Sequence, residues 1–250
     1  MMMMVTLARK ELKSLFASPM GWLLLAISQA LVGTYYSLSF NQYFEIMSSG
    51  HWQVQRIGMT QFMAEGVFGI AALLLMFLVP LISMKLISEE RKSHTMALLM
   101  SAPISMTEII LGKLAGIVAY LSLLIISMVV MILLLAPWTE IDLPYLLTHA
   151  LGLWLLMLAS SALGLFFSSL TSNPILAAFC SLTALMVWQM LDKFFTENSQ
   201  ALFHHFSLMQ HYRQFAQGML NSYDLVFFML FTVFFVLLAI RRLQADKLYG

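Results

Sequence analysis

The residues of this chain best suited to recognition chemistry lie in one stretch, Glu89–Lys113, which reads EERKSHTMALLMSAPISMTEIILGK. The stretch lies between two long apolar segments. It begins with two acids and two bases and continues with apolar residues at helical spacing. A phosphate-binding loop would need a glycine at the position of Thr107 and a serine or threonine at that of Leu114 around the Gly112–Lys113 pair. The stretch is therefore expected to contact another surface, such as a membrane or a protein, and not to bind a nucleotide itself.

The same stretch predicts a short helix, a break and a second helix. Ser88 is expected to cap the first helix, so that Glu89 and Glu90 lie near the positive end of its dipole. Ser105 and Glu108 have the spacing of a capping box at the start of the second helix. Such a loop suits lying on the membrane, packing back on the protein, or docking into a partner's groove. The residues that would carry its contacts are Glu89, Glu90, Arg91, Thr95, Met96, Leu98, Leu99, Met100 and Pro103.

Three histidines in the polar stretch 192–222 are weak candidates for a metal site. His204 and His211 are seven residues apart and can share a helix face, and His205 adjoins them. A metal site would also need a supporting acid or a second chain, and the sequence shows no such cluster. Surface or interfacial histidines are the alternative, and no cofactor is expected in this chain.

The elements that must position these residues are apolar helices. The chain has 250 residues, of which 61% are hydrophobic and only 10% charged, whereas soluble domains average about 25% charged. This composition predicts an all-α polytopic membrane protein. One domain, 20–250, would follow an elbow helix at 1–19 and hold six spans at about 20–39, 65–84, 110–136, 145–169, 174–191 and 224–241.

The distribution of Lys and Arg predicts that both termini are cytoplasmic. Ten of these residues fall on the side of the N-terminus: Arg9, Lys10, Lys13, Lys85, Arg91, Lys92, Lys113, Arg241, Arg242 and Lys247. Three fall on the other side, Arg56, Lys193 and Arg213, which satisfies the positive-inside rule. No basic run lies outside the membrane flanks, so nucleic acid is not an expected partner.

The N-terminal segment reads as an amphipathic helix lying at the cytoplasmic interface of the bilayer. Its apolar face includes Leu12 and Phe16, and its polar positions include Arg9, Lys10, Glu11 and Lys13. The bases would lie near anionic lipid headgroups. An ordinary stop-transfer flank is the alternative.

The spans are expected to carry no charged residue in their interior. Glu65 and Asp224 lie at span edges, and Lys113 is counted with the flanking loop. Because ion-coupled transporters usually need an intramembrane acid or base, this pattern disfavours a secondary transporter. The glycines of the GxxxG motif Gly112–Gly116 are expected to serve helix packing.

The loop resembles the signature loop of ABC-2 type permeases, the membrane subunits of ABC exporters. The residues that match or nearly match the family pattern are Glu90, Arg91, Thr95, Leu98, Leu99, Ala102, Pro103, Ile104, Glu108, Gly112 and Lys113. His94 and Ala97 depart from it, because the family usually has Gly and Glu there. The resemblance extends to RKELKSLFASPMGWL, FFSSLTSNPILAAF and HYRQFAQGMLNSYDLVFF, and it is greatest to the gliding-motility-associated branch, with the copper-enzyme-maturation permeases close by.

The resemblance implies a bacterial inner-membrane exporter. Two permease chains, identical or homologous, would work with two cytoplasmic ATPase subunits that hold ATP and magnesium, and the helix near 89–102 would be the coupling helix beside the elbow. Short re-entrant helices would form between spans five and six. The chain itself would not be an enzyme. A membrane scaffold that docks an ATPase without transport, a secondary transporter and an integral membrane enzyme are the alternatives.

Overall fold

The computed structural model describes residues 2–48, 58–96, 104–194 and 207–249, and every regular element in these ranges is a helix. The proposed contact residues Leu98, Leu99, Met100 and Pro103, the departure at Ala97, and His204 and His205 lie outside these ranges. In chain order the helices are α1 (Met2–Ala17), α2 (Pro19–Ser48), α3 (Met59–Ser83), α4 (Lys85–Lys92), α5 (Met106–Leu133), α6 (Leu143–Leu170), α7 (Pro174–Phe194), α8 (Leu208–Ala216) and α9 (Ser222–Tyr249).

Local sequence signals account for where several helices begin. Ser105 caps α5: its Oγ accepts from the Glu108 N–H at 3.2 Å, and the Glu108 carboxylate accepts from the Ser105 N–H at 3.2 Å. This reciprocal pair confirms the predicted capping box. Asp142 caps α6 by accepting from the Tyr145 N–H at 3.1 Å, and Pro144 lies in the first turn, where its missing N–H costs nothing.

Five helical segments are long and apolar enough to cross a membrane. They are Pro19–Ser48, Met59–Lys92, Met106–Leu133, Leu143–Leu170 and Ser222–Lys247. The apolar part of α7, Pro174–Trp188, is shorter. The all-α class is thus confirmed over the described residues, and five of the six predicted spans meet the length criterion.

One helix is longer than its predicted span, and one predicted helix start is wrong. Helix α2 continues past residue 39, the predicted end of the first span, to Ser48, since an exposed asparagine such as Asn41 costs little in a long apolar helix. Ser88 was expected to cap a new helix, but α4 begins at Lys85 and follows α3 after the single residue Met84, which keeps right-handed helical angles. The Ser88 hydroxyl bonds back to the Met84 carbonyl one turn earlier instead of capping.

Helix α6 is the centre of the bundle. It packs against α3, α4, α5, α7, α8 and α9. Small residues permit close approach: a Cβ on Gly164 would lie 2.1 Å from the Ser83 Oγ of α3, and one on Gly152 would lie 2.4 Å from the Phe215 Cβ of α8. Small interfacial residues of this kind let membrane helices pack closely. The inward faces of these six helices therefore converge on α6, whereas α1 and α2 pack on α5 and α3 at the side of the bundle.

Candidate functional site

The N-terminal helix α1 lies against the start of α5 across the GxxxG motif. A Cβ on Gly112 would lie 2.9 Å from the Leu7 Cβ, and one on Gly116 would lie 2.7 Å from the Glu11 Cβ and 3.1 Å from the Ala8 carbonyl oxygen. The absence of side chains at both glycines lets the two backbones approach. The motif thus serves helix packing, as predicted, with α1 as its partner.

This approach brings Glu11 to a buried lysine. The Lys113 Nζ donates to the Glu11 Oε1 and to the Glu90 Oε1, each at 2.8 Å, and the Lys113 side chain is only 2% exposed. A buried ammonium is tolerated only when it is paired, and two carboxylates from different helices supply the pairing. Lys113 therefore joins α1, α4 and α5 at one end of the bundle.

The cluster around Lys113 carries one carboxylate more than it needs for neutrality. Glu11 and Glu90 are 15% and 18% exposed, and the Glu90 Oε2 is buried with no hydrogen-bond partner among the described residues. An unsatisfied buried carboxylate oxygen raises the free energy of this arrangement. The position of Glu90 is therefore held by Lys113 and not by a complete set of bonds.

A serine of α6 fixes the start of α4. The Ser168 Oγ accepts from the backbone N–H groups of Ile87 and Ser88, each at 3.1 Å, and donates to the Met84 carbonyl at 2.9 Å. All three bonds cross from α6 to the α3–α4 junction, and Ser168 is fully buried. One hydroxyl thus anchors α4 to the central helix.

The end of α4 is a Schellman motif with histidine at the left-handed position. His94 has φ of 57°. The Thr95 N–H donates to the Glu90 carbonyl at 3.0 Å and the His94 N–H to the Arg91 carbonyl at 3.2 Å, which is the paired bonding of this motif. Glycine is usual at such a position because it lacks a Cβ. The backbone geometry thus accounts for the glycine of the pattern from which His94 departs.

The other side of α4 is tied to α9. Arg91 forms an ion pair with Asp246, and the Arg242 guanidinium lies 3.5 Å from the other oxygen of the same carboxylate. Arg91 is 18% exposed and Asp246 24%, so solvent screens this pair more than it screens Lys113. Helix α4 is therefore held directly by α5, α6 and α9, and Lys113 links it to Glu11 of α1.

The predicted contact residues of the loop divide into an exposed and an inward set. Glu89 and Thr95 are exposed, whereas Glu90 and Arg91 are half-buried and engaged within the chain. Met96 is 8% exposed and belongs to the core of this chain. The predicted role of these residues in docking a partner stays a prediction, with Glu89, Thr95 and the adjacent Lys92, Ser93 and His94 forming the accessible surface.

Helix α1 has the two faces that its sequence predicts. Arg9, Lys10 and Lys13 are exposed, and Leu12 and Phe16 are half-buried against the core. Glu11 is on the inward side with the apolar residues, where it meets Lys113. Its placement at a membrane surface stays a prediction.

At the opposite end of the bundle, His211 of α8 pairs with Asp224 of α9. The His211 Nδ1 and the Asp224 Oδ1 are 2.5 Å apart, and both side chains are buried. Tyr212 donates to the Phe68 carbonyl at 3.1 Å, and burial raises the pKa of its phenol, so the hydroxyl stays a donor. Among the described residues no group of three His, Cys, Asp or Glu side chains gathers as a metal site would require.

Sequence reasoning missed three residues that organise the charged end. Lys113 was assigned to a flanking loop, but it is buried on α5 between two other helices. Ser168, one of four serines in the fourth predicted span that were expected to serve helix packing, and Asp246 were given no role at α4, although both fix it. The available signal was the Lys113 position inside a strongly apolar stretch, where a charge needs a partner.

Residues 5–248 match a family model described as ABC-2 family transporter protein. A search of curated proteins found no match.

Proposed function

The chain belongs to the ABC-2 transporter family, and it is therefore an integral membrane protein and a permease component of an ABC transporter. We propose that it moves its substrate outward across a bacterial inner membrane. ATP and magnesium would be held by a separate cytoplasmic ATPase in two copies. A second permease chain, identical or homologous, would complete the transporter. Six spans with both termini cytoplasmic, and the gliding-motility-associated or copper-enzyme-maturation branch, are parts of the same proposal.

The observation that carries this proposal is the position of α4. It presents an exposed surface, from Glu89 to Thr95, and on its other sides it is bonded to α5, α6 and α9 and is linked to α1 through Lys113. A partner that moved this short helix would therefore pull on four others at once. Because α4 follows α3 after one residue, the same movement would pass directly into a span. This arrangement suits a coupling helix of a two-state transporter.

A scaffold that binds an ATPase without transport is the second candidate. It would present the same exposed surface, but it would not need a helix linked to several others. If the chain is a permease, loosening α4 should change the rate at which the bound ATPase hydrolyses ATP, whereas with a scaffold the rate of the ATPase should stay unchanged. Ser168→Ala is the variant for this comparison, because Ser168 belongs to α6 and bonds the buried start of α4, not its exposed surface.

The test is copurification of the full chain with its cellular partners in nanodiscs. Lys92→Glu combined with Thr95→Arg changes two side chains of the exposed surface. The ion pairs of Lys113 with Glu11 and Glu90 involve neither residue. We expect the wild type to retain an ATPase, identified by mass spectrometry, and the double variant to lose it while still inserting in the membrane. Glu140→Lys, an exposed change beyond the end of α5, is the matched control. Wild type without an ATPase, or equal retention by the double variant, would contradict the proposal.

A further inference from the structure

A half-open crevice of about 200 Å³ lies where α1, the start of α2 and the α3–α4 junction meet. On the α3–α4 wall, Leu81, Lys85 and Glu89 follow one another at intervals of four residues. On the opposite wall, Leu24 belongs to α2, and Ser14 and Glu11 belong to α1.

The crevice changes from apolar to polar along its length. A second, adjoining cavity is bounded by Glu11, Ser14, Lys85 and Glu89 together with Lys113; it shares Leu86 with the crevice but includes neither Leu24 nor Leu81. The polar groups therefore mark the end that faces the Lys113 cluster, and Leu24 and Leu81 mark the end inside the apolar bundle. A site with this gradient matches a molecule with an apolar chain and a polar head.

The order of the charges narrows the kind of head group. Glu11 is engaged by Lys113, which leaves Lys85 and Glu89 as the charges of the crevice without an ion-pair partner among the described residues. Lys85 lies nearer the apolar end, and Glu89 lies one helical turn farther out, about 6 Å along the axis. A lipid bound with its acyl chains at the apolar end would place the inner part of its head group beside the positive Lys85 and the outer part beside the negative Glu89.

We propose that this crevice binds a phospholipid with a phosphoethanolamine head group. The phosphate, which follows the glycerol and chains, would contact the Lys85 ammonium and the Ser14 hydroxyl. The primary amine, two carbons farther out, would donate to the Glu89 carboxylate. A phosphoglycerol head group lacks the amine, and a choline head group has no N–H to donate. The bilayer supplies such a ligand to a membrane protein, so the proposal does not depend on the transport function.

The test measures which lipid the purified chain retains. The full chain in detergent is incubated with an equimolar mixture of palmitoyl-oleoyl phosphatidylethanolamine, phosphatidylcholine and phosphatidylglycerol, passed through gel filtration, and its lipid quantified by mass spectrometry. Wild type should retain the ethanolamine lipid over the choline lipid by on the order of fivefold. Glu89→Gln should remove this preference but still bind lipid, and Lys85→Gln should lower the retention of all three.

Matched variants separate the crevice from general lipid association. Lys13→Gln changes an exposed lysine of α1 that does not line the crevice, and it should behave as wild type. Glu89→Asp, which keeps the carboxylate, should restore most of the preference. Retention of the three lipids in the proportions supplied, a preference for phosphatidylglycerol, or an unchanged preference in monodisperse Glu89→Gln would each overturn the proposal.

Discussion

Lys113 and Glu90 form an ion pair, with 2.8 Å between Nζ and Oε1, that joins the beginning of one apolar helix to the helix that extends another. The lysine is 2% exposed and the glutamate 18%. Since the same Nζ also bonds Glu11 of α1, a single cation determines where three helices meet. The proposed coupling helix α4 is therefore positioned by Lys113, a buried side chain of α5 that is not part of the exposed surface of α4.

Lys113→Met should strongly destabilise the chain, because it leaves the Glu11 and Glu90 carboxylates close together without a counter-charge. Removing one partner of a buried ion pair costs on the order of 3 kcal/mol. The measurement is thermal unfolding of the detergent-solubilised chain followed by fluorescence. Lys113→Met in a Glu11→Gln, Glu90→Gln background should recover much of the lost stability. An unchanged melting temperature in the single variant would show that the cluster carries no net stability.

His94→Gly should stabilise the chain, because glycine adopts the left-handed conformation at φ of 57° without a Cβ clash. The expected gain is ~1 kcal/mol, which for a chain of this size raises the melting temperature by about 2 °C or somewhat more. His94→Ala is the control, since alanine keeps the Cβ and should give no such gain. Equal effects of the two substitutions would contradict the backbone explanation.

Ser168→Ala should loosen the start of α4, because it removes the acceptor of the Ile87 and Ser88 N–H groups and leaves both buried. The expected loss is ~1–3 kcal/mol, with faster hydrogen exchange localised to these two amides. Ser161→Ala on the same helix is the matched control: its Oγ is buried without a partner among the described residues, so its removal should be neutral or stabilising. Exchange measured by mass spectrometry distinguishes the two.

Gly116→Val should displace α1 from α5, because its Cβ would lie 2.7 Å from the Glu11 Cβ. Overpacking of this kind typically costs ~1–3 kcal/mol. Proteolysis of the N-terminal helix should accelerate accordingly. Gly33→Ala, on a helix where a Cβ meets nothing within 4 Å, should instead stabilise α2 slightly. Equal protease sensitivity of Gly116→Val and wild type would argue against the close approach.

The sequence was sufficient for the fold class and for features governed by local rules. Hydrophobic runs located the apolar helices, and the Ser105–Glu108 spacing identified a cap that the structure confirms. The error at Ser88 has a simple cause, since a serine hydroxyl bonds equally well back to a carbonyl of its own helix. The local sequence pattern does not show whether a serine hydroxyl caps the start of a helix or bonds back to a carbonyl one turn earlier.

The long-range contacts of the charged end could not be read from local patterns. Glu11 and Glu90 lie 102 and 23 residues from Lys113 along the chain, and Asp246 lies 155 residues from Arg91. Pairing at such distances follows from how the helices pack, which depends on Gly112, Gly116 and Gly164 rather than on any charge pattern. The sequence singled out this loop, whose role in docking stays a prediction, and left its anchoring residues unassigned.

Pro80 lies inside α3, four residues before the α3–α4 junction, and removes one backbone donor from the helix. Helices bend preferentially at such points. From Pro80 to Lys92 the chain forms an arm of about 18 Å at 1.5 Å per residue. A rotation of ~10° about the proline would swing the end of that arm by about 3 Å, roughly the length of one hydrogen bond. Pro80 can therefore act as a hinge, and a displacement of about 3 Å at α4 is enough to break or re-form the ion pair between Lys113 and Glu90.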